Sequence, residues 1–542
     1  MSDFPIFTYP TRVLLDADQT RLLDAYAELH GRAERVLFAA WCAGQIPGKL
    51  KPEFQRRFDL TARQFNAVRV GLEGKINSIK ERRPELIAEA EIRLKKAEKT
   101  VAMIEKRDPG SNKLHQKKRR VQTLRSRIGA LKKDHQHGAV RLCFGSKKRF
   151  RAQFDLKANS YDSHQEWATD WRKARSGQFF VLGSQDETAG NQTCQAMVAA
   201  DGSLTLQLRL PDALVKDGKY LMMNGVRFAY GHDVIVAALQ SSRVIQSQTK
   251  HGKPAKKRIG TAISYRFLRD EKGWRVFASV EAQPVAQVSH KMLGAFGVDV
   301  NADHRAVAET DHFGNLIATC RIELPLAGKT TDQSKALIGD AAVLIAKMAK
   351  DAGKPVIIEQ LNFQKKKAEL EAVDPRQAKM ISSFACNKVA SSIKAACFRA
   401  GVEVIEVNPA YTSVIGAVEH AQKRGISVHQ GAAYAIARRG LGLSERPTER
   451  KVATPVRNGG HVTFDLPVRN RSKHVWSFWS NVRTRLKAAH KEHYRCGLHK
   501  VDPPPLRQSS PALGATGSIT AQFRDANRLP HCSGDVLEDV PY

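Results

Sequence analysis

The 542-residue chain carries 88 lysines and arginines against 54 aspartates and glutamates, a formal charge of +34, with 42% hydrophobic residues. That length supports two or more packed cores and that composition excludes wholesale disorder. So large a positive charge strains a compact monomer by self-repulsion unless a polyanion neutralises it, which points to nucleic acid. No apolar run is long enough to span a bilayer and no cleavable signal segment opens the chain, so a cytoplasmic protein with no membrane partner is expected. The eight cysteines are scattered, Cys386 and Cys397 being the closest pair, which leaves neither a disulfide framework nor a CxxC zinc knuckle.

In chain order, FPIFTYPTRVLL predicts a short strand, and the stretch from Asp18 to about residue 80 has helical spacing with few breakers. From Ile87 the apolar positions Ile87, Ala90, Leu94, Ala97, Val101 and Ile104 fall three and four apart; DPGSN then turns the chain, and Val121, Leu124, Ile128 and Leu131 repeat the spacing. This predicts a helical hairpin. Its second arm, Lys113 to Lys133, bears nine lysines and arginines and no acid, including Lys117, Lys118, Arg119 and Arg120. A solvated helix face is the plain explanation of such a run, but the lack of interspersed glutamates favours phosphate contact.

From about Val140 the pattern changes to short or alternating apolar runs, QFFVLGS, CQAMVAADGSLTLQLRL, KYLMMNGVRFAYG, DVIVAAL, TAISYRFLRD and WRVFASVEA, mostly strand, predicting a barrel or sandwich to about residue 290. Trp167, Trp171, Phe179 and Phe180 read as core in preference to base-stacking groups. Gln246 to Gly260, with Lys256, Lys257 and Arg258, is expected to be a basic backbone-contacting loop between strands. After Pro503 periodicity gives way to Pro, Ser and Gly, which predicts a flexible tail.

Residues 295–440 carry the chemistry. AFGVDVNADHRAVAETD and HFGNLIATCRIEL read as three strands, with Asp299 in the first. A helix from about Gln333 to Ala352 follows, then a buried strand PVIIEQLNF ending in Glu359, a helix around Ser382 to Arg399, the strand VEVIEVNP and a last helix starting near Ser427. This is the order expected of a ribonuclease H-like layer fold. Two-metal phosphodiester cleavage needs oxygen ligands converging from separate elements. Alone, Asp299 reads as a turn former and Glu359 as a surface acid; together, at matching positions of adjacent apolar strands, they read as a paired site.

GVDVNADHRAVAETDHFGN resembles the first RuvC motif of TnpB proteins and compact type V CRISPR effectors, PVIIEQLNF their glutamate-bearing second motif, and VEVIEVNPAYTS the segment before their zinc ribbon. The resemblance is close over about 150 residues and architectural over the first 290. It implies a multidomain α+β protein: a first wedge strand (1–12), a helical recognition region (13–137), a β-barrel wedge domain (138–290), an α/β RNase H-like RuvC domain (291–502) and a tail (503–542). It implies an RNA-guided protein, partnered by guide RNA and target double-stranded DNA, with Asp299 and Glu359 as catalytic metal ligands for Mg²⁺ or Mn²⁺. Lys113, Lys117, Lys118, Arg119, Arg120, Lys256, Lys257, Arg258, Lys365, Lys366 and Lys367 are the candidate backbone contacts.

Two departures from the family stand out. Tyr411, Thr412 and Ser413 run on to Gly416 without the first ribbon cysteine, so no zinc is expected. His490, His493, Cys496 and His499 recur every three residues, where helical twist fans them apart. At the last helix, His429 stands where relatives carry the third carboxylate. It is expected as the third catalytic and metal-binding residue, imidazole suiting Mn²⁺ better than Mg²⁺. Two alternatives stay open at this point: cleavage with altered metal preference, or an impaired site that acts by holding DNA and blocking polymerase. A plain helix N-terminal polar residue at 429, a guide-independent RNase H-fold nuclease or transposase, and a structural RNA-binding protein are the other readings.

Overall fold

The computed structural model describes residues 4–248, 254–283, 285–301, 303–326, 328–360, 386–447, 449–456, 460–495 and 524–525. The chain divides into two units, meeting between Pro284 and Val285. In the first unit, β1 (Ile6–Arg12) leads to α1 (Ala17–Cys42), α2 (Lys51–Phe58), α3 (Ala62–Arg107) and α4 (Asn112–Gln136). Helix α3 starts at a reciprocal capping box, Thr61 with Gln64, which satisfies amide donors that a helix start leaves orphaned. It runs unbroken through Pro84 and packs Ala97 against Val121 and Leu124 of α4, the hairpin that the apolar spacing predicts. Buried Arg83 donates to the carbonyls of Asp134 and Ala139, tying α3 to the far end of α4.

Two short helices, α5 (Lys147–Ala152) and α6 (His164–Arg175), follow where strand was expected. They begin at Ser146 and Ser163, whose hydroxyls accept from the third residue on, a start signal that outweighs the short apolar runs. Next come β2 (Gln178–Val181), β3 (Cys194–Val198), β4 (Leu204–Arg209), β5 (Tyr220–Val226), α7 (His232–Gln240), β6 (Arg243–Gln248), β7 (Pro254–Ile259), β8 (Ile263–Asp270) and β9 (Gly273–Glu281). The expected barrel is corrected: the described strands form a four-stranded sheet β1-β9-β8-β2, a separate three-stranded sheet β3-β4-β5 and a two-stranded ribbon β6-β7. Leu204, Leu206 and Leu208 of one sheet and Tyr265 and Phe267 of the other fill one core with Leu23 and Tyr26 of α1. Burial, not hydrogen-bonded closure, therefore joins the two sheets. The run DVIVAAL is likewise a helix, α7, burying Ile235 and Ala238. Nine residues with no breaker permit either period, and packing decides. The expected basic loop at 246–260 is largely the β6-β7 ribbon, with Val244 paired to Arg258 and Ile245 to Lys257.

Buried His30 on α1 supplies a test of this core. Burial, reinforced by nearby Lys75, pushes its imidazole down to about 3 from 6.5. Between those values the unfolded chain takes up a proton that the folded chain refuses. The contribution is therefore complete above pH 6.5 and declines as pH falls, by about 2 kcal/mol at pH 5. Urea unfolding at pH 7 and pH 5 should show that His30→Met removes this acid-side loss; an unchanged pH slope would reject it.

In the second unit, β10 (Ala295–Val300), β11 (His304–Thr310) and β12 (Leu316–Glu323) form an antiparallel meander. Then come α8 (Thr331–Asp351), β13 (Val356–Glu359), α9 (Cys386–Ala400), β14 (Val404–Val407), the short α10 (Thr412–Ile415), a π-helical stretch Gly416–Ala421 and α11 (Val428–Gly440). The chain goes on to β15 (Lys451–Pro455), β16 (His461–Asp465) and α12 (Val475–Arg495). Strands β13 and β14 join β10 in parallel, and the described Arg524–Asp525, β17, adds to β12; the rest of the expected tail lies outside the described residues. The order is β14-β13-β10-β11-β12-β17. One face packs Phe296, Val298, Val356 and Ile358 against α8 and α9. The other packs Ala295, Ile357 and Val407 against Ile436 and Ala437 of α11.

Candidate functional site

Strand alternation decides which side chains reach the site. Phe296 and Val298 point to α8 and α9, so Ala295, Gly297 and Asp299 point to α11. The parallel pairs Gly297–Ile357 and Val298–Ile358 put Glu359 level with Asp299 on the neighbouring strand and on the same face. On β14 the alternation sends Glu406 to the opposite face, where it meets Lys394 of α9 at 2.9 Å. Glu406 therefore does not share the face of Asp299 and Glu359.

Helix α11 starts at a capping box of Ser427 with Gln430. Along it, Ala433 and Ala437 approach Gly297 so closely that a Cβ there would lie 2.0 Å from the Ala433 carbonyl oxygen and 2.6 Å from the Ala437 nitrogen. One helical turn before Ala433, on the same face, stands His429. Its Nδ1 lies 3.1 Å from Oδ2 of Asp299. The buried Asp299 receives a second hydrogen bond on that oxygen from Nδ2 of Asn301, at 2.9 Å.

His304 completes the cluster. It shares the α11 side of β11 with Ala306 and Ala308, which pack on Ala433 and Tyr434, and its ring meets that of His429 edge to face, centroids 4.9 Å apart. Its Nδ1 is 2.8 Å from Oδ1 of Asp303 and its Nε2 is 3.4 Å from the Asn301 amide. Burial holds the His304 imidazole below its usual value despite the upward pull of Asp303, whose carboxyl is in turn held low by the bond to His304. The neutral ring that results can donate from Nδ1 and accept at Nε2.

Glu359 is held separately. The hydroxyl of buried Thr412 donates to its Oε1, and Thr412 is aimed there by the left-handed backbone of Tyr411, φ +64°. Arg439 sits on the carbonyls of Asn408 and Ala410; burial lowers its pKa while Glu359 and Glu445 pull it upward. The sequence does not single out Asn301, His304 or Arg439, and gives Thr412 no site role. The alternation His304, Ala306, Ala308 was the available signal for His304, and Tyr-Thr-Ser for Thr412; Arg439 had none.

The metal reading meets a disagreement. Among the described residues, no group of three or more His, Cys, Asp and Glu side chains is gathered to hold an ion. The arrangement explains this: Oδ2 of Asp299 already accepts from Asn301 and faces His429, while Glu359 faces Thr412. The donors are engaged with one another, which is not the fit of a preassembled Mg²⁺ or Mn²⁺ site. His490 and His493 lie on α12, whereas Cys496 and His499 fall outside the described residues.

The expected backbone contacts are spread widely. Lys113, Lys118 and Arg119 are exposed on α4, and Lys117 and Arg120 are half-buried. The acids missing between Lys113 and Lys133 come from α3 instead: Lys118 meets Glu105 at 2.7 Å, and Arg125 meets Glu98 at 2.8 Å. Lys257 is exposed on β7, beside half-buried Arg258 and the backbone position of Lys256. Lys365, Lys366 and Lys367 lie outside the described residues.

No family model matches the chain, and no curated protein matches its sequence. Solved structures do. A T. thermophilus RuvC in complex with a Holliday junction substrate is 14% identical, with a TM-score of 0.20, covering 27% of this chain and 90% of its own. A Cas12f1 in complex with sgRNA and target DNA is 10% identical, TM-score 0.28, covering 80% of this chain and 99% of its own. A CRISPR-Cas12f ternary complex is 11% identical, TM-score 0.18, covering 80% and 98%. All three TM-scores lie below 0.5.

Proposed function

We propose that this chain is an RNA-guided protein that targets double-stranded DNA, of the TnpB and type V effector lineage, and acts by holding its target more than by cutting it. The observation that carries the second clause is the contact of His429 Nδ1 with Asp299 Oδ2 at 3.1 Å. An imidazole there engages the strand aspartate, where a third carboxylate would add negative charge for a divalent cation. Support for the lineage comes from Asp299 and Glu359 level on adjacent parallel strands under α11, from the RuvC-like motifs around them, and from the +34 charge. In this reading guide pairing carries sequence specificity, and the protein holds the heteroduplex through its backbone.

Purified from cells, the protein should carry a discrete RNA. Loaded with a matching guide, it should bind a target plasmid tightly and leave it uncut in Mg²⁺. Asp299→Ala and Glu359→Ala should then alter binding by less than about twofold, since in this reading guide pairing carries the specificity. Guided cleavage by the natural chain that these substitutions abolish would overturn the holding clause. Only random RNA fragments, together with unguided cutting, would favour a guide-independent nuclease or transposase.

A further inference from the structure

Four aromatic rings in the first unit make a continuous ladder that runs from the core to solvent. At its base Trp167 is buried, its indole N–H donating to the Arg149 carbonyl at 2.8 Å. Trp171 stacks on it, centroids 6.3 Å apart and planes 10° from parallel, with the Arg175 guanidinium 5.4 Å from the Trp171 centroid. Gly145 also lies against Trp171; a Cβ at that φ +92° position would meet the indole at 2.8 Å. Phe150 then packs on Trp171 at 5.7 Å, and Phe154 meets Phe150 edge to face at 6.3 Å.

The outer two rungs stand in water: Phe150 is 45% and Phe154 78% exposed. A phenylalanine so exposed contributes little to a core, yet each of these rings packs on the next one inward. What surrounds it selects the partner. Helix α5 reads KKRFRA, and Lys147, Lys148 and Arg151 are exposed around Phe150, while Arg149 is paired to Asp170 at 2.9 Å. Apolar rings set among exposed cations suit a ligand with flat apolar faces on an anionic chain. Unpaired nucleotides have that chemistry, whereas an acidic peptide supplies charge without a stacking face.

We infer that Phe150 and Phe154, mounted on the Trp167–Trp171 stack and flanked by Lys147, Lys148 and Arg151, form a stacking platform for unpaired nucleobases of single-stranded nucleic acid. The platform does not depend on Asp299, Glu359 or a guide, so its test stands apart from the holding reading. RNA and DNA share the stacking chemistry, and separate arms distinguish them.

The test uses the full chain carrying Asp299→Ala, without added metal, titrated with single strands of about twelve nucleotides, one oligouridylate and one oligothymidylate, each with a central 2-aminopurine. Phe150→Ala with Phe154→Ala should weaken binding of the preferred strand about tenfold or more and abolish the change in 2-aminopurine fluorescence, leaving the salt dependence intact. Phe150→Trp with Phe154→Trp should retain both. Lys147→Ala, Lys148→Ala and Arg151→Ala together should lower the slope of log affinity against log salt by about two. Because both phenylalanines lie outside the core, thermal melting should be unchanged by the alanine pair. Unchanged affinity and fluorescence in both arms would overturn the proposal. So would a dimer, seen by sedimentation, that the alanine pair dissolves, since the rings would then serve a second copy of the chain.

Discussion

Gly297→Val should destabilise the second unit by about 3 kcal/mol, the upper end for forcing extra methyls into a packed interior. For a unit of its size that is about a 10 °C fall in melting temperature. The reason is what the new atoms would meet. A Cβ on Gly297 would stand 2.0 Å from the carbonyl oxygen of Ala433 and 2.6 Å from the nitrogen of Ala437. Both are helix backbone, which cannot rotate away as a long side chain could. Helix α11 must therefore lift from β10, and Gly416, whose own Cβ would lie 2.3 Å from the Ala432 nitrogen, clamps it from another side. Lifting α11 also separates His429 from Asp299. The control is Gly339→Ala inside α8, where nothing lies within 4 Å of the added atom; it should stabilise by up to about 1 kcal/mol. Calorimetry on the three chains decides. A Gly297→Val protein melting within a degree of the natural one would show that α11 is not seated on this strand.

The same contacts show what the sequence could and could not reveal. Alternation along GVDV and VIIE suffices to put Asp299 and Glu359 on one face, because a two-residue period is written into the chain itself. The start of α11 was legible too, since Ser427 and Gln430 cap it by a local rule. The arrangement of the donors was not. Whether the His429 ring faces Asp299, and whether Asn301 or an ion takes the aspartate oxygen, depends on how closely a helix 130 residues away in sequence approaches the strand. Gly297 sets that approach, and a glycine inside a strand says only that something comes near. Likewise, nine cations on α4 suggested an unbalanced face because the acids balancing some of them, Glu98 and Glu105, belong to the opposite arm. The barrel failed for a related reason: alternating runs locate strands but not which edges pair, and among the described residues β3-β4-β5 forms a sheet of its own.

His429→Asp should give the site a cation dependence that the natural chain does not show in the same titration. In the natural chain the His429 ring lies against the Asp299 carboxylate, and an imidazole adds no negative charge there. The substitution sets a second carboxylate beside a buried one, with Glu359 on the next strand. Without divalent ions, this like-charge pair should lower the melting temperature by a few degrees, since two close carboxylates resist joint ionisation. Added Mg²⁺ should then more than restore it: an ion at a hundred times its dissociation constant stabilises by about 2.7 kcal/mol. The natural chain should move by less than a degree over the same titration. The guided plasmid assay adds an independent readout, with cleavage appearing in His429→Asp and disappearing again when Asp299→Ala is combined with it. Equal Mg²⁺ shifts in both proteins would mean that the imidazole is no obstacle to the ion. His429 would then have to be read as a ligand, and the holding of DNA explained some other way.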